Sequence, residues 1–102
     1  VSRSRHRVVI QPVARSEVAE AAAWYESQVS GLGRDFLGEF RAAVARLREN
    51  PHQYQPLDEL MRRLLTRRFP YSVYFEIDGP TVVIHACVHQ ARDPAAWQNR
   101  ST

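Results

Sequence analysis

The hydrophobic period of this chain changes once, near residue 60, and that single change restricts the folds open to it. Before the change, apolar residues recur at helical spacing; after it, they alternate. Val18, Ala22, Tyr25 and Val29 fall at i, i+4, i+7 and i+11, with Ala21 and Trp24 widening the stripe. That spacing predicts an amphipathic helix from Val13 to about Gln28. Phe36, Phe40, Val44 and Leu47, with Leu37 and Ala43 beside them, mark a second helix from about Arg34 to Glu49. Ser30-Gly31-Leu32-Gly33 is a tight turn, so the two helices form an antiparallel hairpin. Asn50-Pro51 stops the second helix, because the residue before a proline avoids the helical region.

Residues 51–61 read as a loop carrying two prolines and two groups able to stack, His52 and Tyr54. Arg62 to Phe69 is then expected as a strand, and Tyr71, Val73, Phe75 and Ile77 alternate with Ser72, Tyr74 and Glu76 as a half-buried strand does. Asp78-Gly79 predicts a type I′ hairpin turn, with Pro80 opening the returning strand. From Thr81 to His89, Val82, Ile84, Ala86 and Val88 face one way, and Val83, His85, Cys87 and His89 the other. Ahead of the helices, Arg7-Val8-Val9-Ile10 is a short strand, and Pro12 ends it and opens the first helix. Gln90 to Pro94 and an Ala-Ala-Trp turn close the chain. The order β-α-α-β-β-β gives an α+β class over residues 1–102 as one domain: a helix hairpin packed on a small, mainly antiparallel sheet. The other face of the sheet, and its ends, carry arginine and histidine.

All 14 basic residues are arginine, so chemistry that needs a lysine (a P-loop, a Schiff base, a lysine general base) is excluded. A single cysteine, Cys87, excludes an internal disulfide and a cysteine-built zinc site. The basic start runs straight into a strand-like segment with no signal-peptide core, and no apolar run is long enough to span a bilayer. A cytoplasmic protein without a membrane segment is therefore expected.

The charge is uneven. Residues 1–11 hold three arginines and no acid, residues 12–59 five arginines against eight acids, and residues 60–102 six arginines against three acids. The densest cluster is Arg62-Arg63-Leu64-Leu65-Thr66-Arg67-Arg68. Four cations around a Leu-Leu pair point to a binding surface for phosphate or an acidic protein segment rather than a merely solvated edge. Trp24, Tyr25, Phe36 and Phe40 are expected in the core, with Tyr71 and Phe75 packed on the helices. Tyr74 is placed either to stack on a base or to cover the sheet. Cys87 reads as a small, partly buried residue rather than a nucleophile.

In chain order, Trp24-Tyr25-Glu26, Gly31-Leu32-Gly33-Arg34-Asp35-Phe36-Leu37, Glu49-Asn50-Pro51, Arg62-Arg63, Phe69-Pro70-Tyr71-Ser72-Val73-Tyr74, Val88-His89, Arg92-Asp93-Pro94 and Trp97 form a pattern. No piece is diagnostic alone, but together they span nearly the whole chain, which resembles the RelE/ParE family of toxins from bacterial type II toxin–antitoxin pairs. The resemblance implies a cognate antitoxin whose C-terminal segment, disordered alone, wraps the sheet and helix hairpin, in a hetero-oligomer. The contact residues expected for antitoxin or target are Arg62, Arg63, Arg67 and Arg68 for charge and exposed Leu64 or Leu65 for apolar contact.

RelE-like members enter the ribosomal A site and cut mRNA, whereas ParE-like members inhibit DNA gyrase. Cleavage through a 2′-hydroxyl needs a base, cations for the developing phosphate charge and a proton donor. RelE-like enzymes usually carry an arginine directly after the opening aromatic of the third strand, where this chain has Ser72. They also carry lysines on the preceding strand and a C-terminal tyrosine or His-Tyr, where this chain has Arg63, Arg67, Trp97 and Arg100. The departures favour a ParE-like, non-enzymatic inhibitor of DNA gyrase that needs no cofactor. The alternative is a ribosome-dependent endoribonuclease using His85 or His89, sharing a face four residues apart, with Arg67 and Arg92, and with His52 nearby. Two histidines on one strand without an adjacent carboxylate are a poor metal set, so no metal is expected. A third reading is a binding module of the same fold that has lost toxicity.

Overall fold

The computed structural model describes residues 5–92. In chain order the elements are β1 (Arg7–Ile10), α1 (Pro12–Gln28), α2 (Leu32–Glu49), a 3-10 turn (Pro51–Gln53), β2 (Gln55–Pro56), β3 (Met61–Leu65), β4 (Tyr71–Asp78) and β5 (Thr81–His89). The five strands form one sheet in the order β1-β5-β4-β3-β2. The β1–β5 pair is parallel and the others antiparallel, so the sheet is mixed and the class is α+β.

Both helices lie on one face of this sheet. Ala14, Val18 and Ala21 of α1 and Phe36, Phe40, Ala43 and Leu47 of α2 meet Leu64, Val73, Phe75, Val82 and Ile84 in a single buried cluster. At one end, Phe36 stacks on Tyr25 at 5.5 Å and meets Tyr71 and Phe69 edge-on at 5.0 and 5.6 Å. Small residues on α1 bring it close to its neighbours, which excludes larger side chains from that seam. Trp24, expected in the core, is instead 58% exposed, with its ring in a T-shaped contact with Tyr25. Val29 is exposed as well, because α1 ends at Gln28 and Val29 is already extended, outside the helical periodicity.

The helix–helix turn is built by one carboxylate. Glu26 accepts hydrogen bonds from the N–H groups of Gly31 and Gly33, at 2.9 and 3.0 Å, which are the free donors at the start of α2. With Gly31 at φ +89°, the helix starts at Leu32 rather than at Arg34. Gly33 lies so close to α1 that a Cβ there would sit 2.4 Å from the Ala22 carbonyl oxygen.

The strand region departs from simple alternation in four places. β3 stops at Leu65, and Thr66 to Phe69 form a turn rather than more strand. The loop after α2 contains the 3-10 turn and the two-residue β2, paired with Arg62 and Arg63. The β4–β5 turn is Gly79-Pro80, not Asp78-Gly79: Asp78 pairs with Thr81, and Gly79 alone has positive φ, at +60°. Glycine at positive φ followed by proline is the type II′ pattern, which gives the same strand twist as the type I′ turn expected. Finally, Tyr74 pairs with Ala86 but Phe75 with Ile84, so His85 is an extra residue, a β-bulge.

The bulge reverses the alternation partway along β5. Val82 and Ile84 face the helices before it, and Cys87 does so after it, while Ala86 takes the opposite face. β4 is the central strand, and Ser72 and Tyr74 are fully buried along with Val73 and Phe75. Tyr74 thus covers the sheet, between Arg63 and Ala86 on its two neighbours, and is not presented to a base.

Gly33→Ala is expected to lower stability by ~2 kcal/mol through overpacking against α1. Gly38→Ala, where a Cβ meets nothing within 4 Å, should raise it by ~0.5–1 kcal/mol; urea denaturation of both variants checks the pair. Gly31 and Gly33 hold the Glu26 carboxyl below its ordinary value of 4.5. A depressed folded value contributes stability above the unfolded value, and that stability is lost as pH falls through the folded one. Glu26→Gln should therefore be less stable than wild type near neutral pH, and the two urea midpoints should converge in acid.

Candidate functional site

Arg62 and Arg63 are adjacent on β3, so they leave the strand on opposite faces. Arg62 is consumed locally: its Nη1 donates to the carbonyls of His52 and Tyr54 at 3.2 and 2.8 Å, pinning the 3-10 turn against β3. Arg63 stands opposite Tyr74 on the face away from the helices. Leu64, between Arg63 and Leu65, points into the core and is fully buried, so it offers no apolar contact to a partner. Leu65 is 50% exposed and remains able to do so.

Arg67 and Arg68 occupy the turn after β3, which an acid from α2 holds in place. The Glu39 carboxylate accepts the N–H groups of Arg67, Arg68 and Phe69 at 2.7, 3.2 and 3.2 Å. Three successive amides facing one anion form a nest of the kind that binds phosphate, but here the chain supplies the anion. Thr66 closes the turn from inside, donating its hydroxyl to the Phe69 carbonyl and accepting from Tyr71 N at 2.9 Å. Arg68 pairs with Asp35 at 3.3 Å and lies over the Phe69 ring at 5.0 Å. The pair is largely exposed and stabilises little. The four arginines therefore make no single patch: Arg62 and Arg68 are engaged by the chain's own acceptors, and the strand sends Arg63 to the far face. The guanidinium of Arg67 has no ion pair among the described residues.

The histidines are also separated. The β-bulge puts His85 on the face away from the helices, where its Nε2 lies 2.8 Å from Glu76 Oε1. His89 is on the helix side, with its ring edge-on to Tyr71 at 5.2 Å and its Nδ1 accepting from Ala91 N at 3.0 Å. Alternation places residues four apart on one face only in an unbroken strand, so the expected pairing of His85 with His89 does not form. His52 is elsewhere, edge-on to His6 at 5.8 Å. Of the nuclease candidates, His89 and Arg92 alone share a cleft; Asp93, Pro94, Trp97 and Arg100 lie outside the described residues.

That cleft, about 940 Å³, opens between α1 and the end of β5 and is lined by Glu17, Glu20, Trp24, Tyr71, His89 and Arg92, among others. It exists because β1 stops at Ile10 opposite Ile84, leaving the later edge of β5 without a strand. Glu17 takes one amide of that edge, accepting Cys87 N at 2.8 Å. Burial pushes the Cys87 thiol up to about 12, with the Glu17 charge adding to it, so the thiol stays protonated and unreactive at neutral pH. Burial, followed by a hydrogen bond with Tyr25, likewise raises the Tyr71 hydroxyl to about 12. Among the described residues the cleft thus offers one arginine for a phosphate, with two carboxylates facing it. No group of three His, Cys, Asp or Glu among them could hold a metal ion.

The sequence pattern gave no sign of the roles of Glu17 and Glu39. The one available signal was Glu26 standing five and seven residues before two glycines. Comparison with known proteins places the architecture. A family model described as the ParE toxin of the type II toxin–antitoxin system parDE matches residues 8–94. The chain is similar to a chromosomal ParDE system from P. aeruginosa (TM-score 0.67, 16% identity), over 84% of this chain and 97% of that one. It is also similar to the toxin–antitoxin complex RelBE2 from Mycobacterium tuberculosis (TM-score 0.61, 21% identity), over 84% of this chain and 99% of that one. At these identities the structural likeness shows the fold. No curated relative matches the chain.

Glu39→Ala removes the acceptor of three turn amides and is expected to cost about 2 kcal/mol of stability. Hydrogen exchange should accelerate at Arg67, Arg68 and Phe69 before it does at Val73. Unchanged exchange at those three amides would show that the turn stands without Glu39.

Proposed function

The chain belongs to the ParE toxin family of type II toxin–antitoxin systems, and we propose that it inhibits DNA gyrase and is held inactive by a cognate antitoxin. The reading of a gyrase-directed toxin starts from the family match. One structural observation carries it further: the bulge at His85 sends the two candidate catalytic histidines to opposite faces of the sheet. Cleavage of RNA through its 2′-hydroxyl needs a base, a proton donor and phosphate-binding cations within one hydrogen-bonded constellation. Here His85 is engaged with Glu76, the Cys87 thiol and the Tyr71 hydroxyl stay protonated, and Arg67 is not among the residues lining the cleft of His89 and Arg92. Ser72, at the position where RelE-like nucleases usually carry an arginine, is fully buried.

A toxin without chemistry of its own acts by occupying a surface, which places the demand on exposed groups. Leu65 at the end of β3 and Arg67 in the turn after it are exposed, whereas Arg62 and Leu64 have structural duties. A partner that covers the toxin until released accounts for neutralisation, in a toxin–antitoxin hetero-oligomer inside the cytoplasm where gyrase works. Similarity to both the ParDE and RelBE2 systems supports the antitoxin partner.

Purified protein should inhibit gyrase supercoiling of relaxed plasmid and leave mRNA intact on translating ribosomes, as read by primer extension. Cuts at the A-site codon with supercoiling untouched would replace this reading with the ribonuclease. Normal gyrase, intact mRNA and unimpaired growth on expression without antitoxin would identify a detoxified binding module.

A further inference from the structure

The solvent side of α2 carries a row of cations. Arg34, Arg41 and Arg48 recur every seven residues, so they stand along one stripe at steps of ~10 Å along the helix axis. Gly38, Ala42 and Ala45 are exposed beside them and leave the outward surface of the helix low. Arg15 of α1 faces the row across a groove of about 430 Å³, which it lines together with Arg41 and Arg48.

Arg15, Arg41 and Arg48 are exposed and make no ion pair among the described residues. The acids of the hairpin are turned elsewhere. Asp35 pairs with Arg68, Glu49 with Arg5, Glu39 holds the turn after β3, and Glu17 is bound at the edge of β5. Arg34 alone is offset, by the Glu26 carboxylate near it. The apolar floor of the groove needs no further cover. Val18 is buried, and Ile10, Leu37 and Val44 are already packed against the core. Anions are what this face lacks.

We propose that the outward face of α2, with Arg15 beside it, binds the backbone of duplex DNA, a property beyond the toxin reading above and independent of it. All the cations are arginines, whose planar fork matches a phosphate. The major groove of B-form DNA is about 12 Å wide and admits an α-helix. Small outward side chains let α2 approach it while the arginines reach the phosphates at its walls. The major groove of A-form RNA is too deep and narrow for side chains to read. A single strand stacks its bases on aromatic platforms, and Phe40, the aromatic residue of the groove, is only 8% exposed. Beside its arginines α2 holds no Asn, Gln, Ser or Thr to read base edges, so phosphate contacts dominate and sequence matters little.

The test is fluorescence anisotropy of a labelled DNA duplex of mixed sequence, titrated with the full chain at low salt. Three arginine–phosphate contacts predict that raising salt from about 50 to about 200 mM weakens binding by about fortyfold. Arg41→Ala/Arg48→Ala should lose about tenfold or more in affinity at low salt, and the slope of log affinity against log salt should fall by about two. Arg7→Ala/Arg46→Ala removes the same charge from β1 and from the other flank of α2, and should keep most of the affinity and the slope. Duplex RNA of the same sequence and single-stranded DNA should bind more weakly, and polyglutamate of equal charge should compete poorly. Urea midpoints confirm that both variants are folded.

No binding of duplex DNA by the wild-type chain at low salt overturns the proposal. So does an equal loss in the two charge-matched variants, which would make the attraction one of net charge alone. Equal binding of duplex RNA or of the single strand overturns the seating of α2 on B-form DNA, and equal competition by polyglutamate assigns the face to an acidic protein instead. The assay contains no gyrase, so the toxin reading is judged separately by supercoiling, and neither result stands in for the other.

Discussion

Three carboxylates of the helix hairpin, those of Glu17, Glu26 and Glu39, accept hydrogen bonds from backbone amides that no helix or strand partner satisfies. Glu26 joins the helices to each other, Glu39 ties α2 to the turn after β3, and Glu17 ties α1 to the open edge of β5. Each lies where regular structure ends and where orphan donors would otherwise be costly. Side chains thus complete what the backbone ladders leave unfinished, and they set the distance between the hairpin and the irregular end of the sheet. The aromatic cluster of Tyr25, Phe36, Phe69 and Tyr71 fills the space so defined.

The same use of carboxylates rearranges the charge of the molecule. A count along the chain puts acid on the hairpin and arginine on the strands. In three dimensions the hairpin's acids are turned towards backbone amides, towards Arg5 and Arg68, or into the cleft beside β5. The strand arginines are partly absorbed by carbonyls and acids. Among the described residues, those left without an ion pair include Arg15, Arg41 and Arg48 on the hairpin and Arg67 in the turn after β3. Charge that is counted along a chain and charge that is presented to a partner are different quantities, because pairing removes both members from the surface.

The bulge at His85 has a comparable effect on the chemistry of the sheet. One inserted residue reverses the facing of everything after it in β5, which brings Cys87 to the core and places His89 beside Tyr71. His85 is left across the sheet with Glu76. Among the described residues the sheet therefore keeps its two histidines on opposite faces, and the family to which the chain belongs is that of ParE toxins of type II toxin–antitoxin systems.

Much of the architecture was legible in the residues. The two helical stripes, the stops at Gln28 and Asn50-Pro51, the three main strands and the α+β order follow from hydrophobic period and from proline and glycine chemistry, which act locally. The chain also excluded lysine chemistry and disulfides by composition alone. Its pattern could not show that Trp24 lies outside the core, that Leu64 lies inside it, or that β3 ends at Leu65. It could not show the bulge or which acids meet which amides. These depend on how closely α1 approaches α2, where β1 stops beside β5 and which donors are left without partners, all of them distances between segments far apart in sequence. Periodicity determined which residues are apolar together. Only the tertiary structure decided which faces and charges remain for a partner, because that is set by the hydrogen bonds and ion pairs made across the fold.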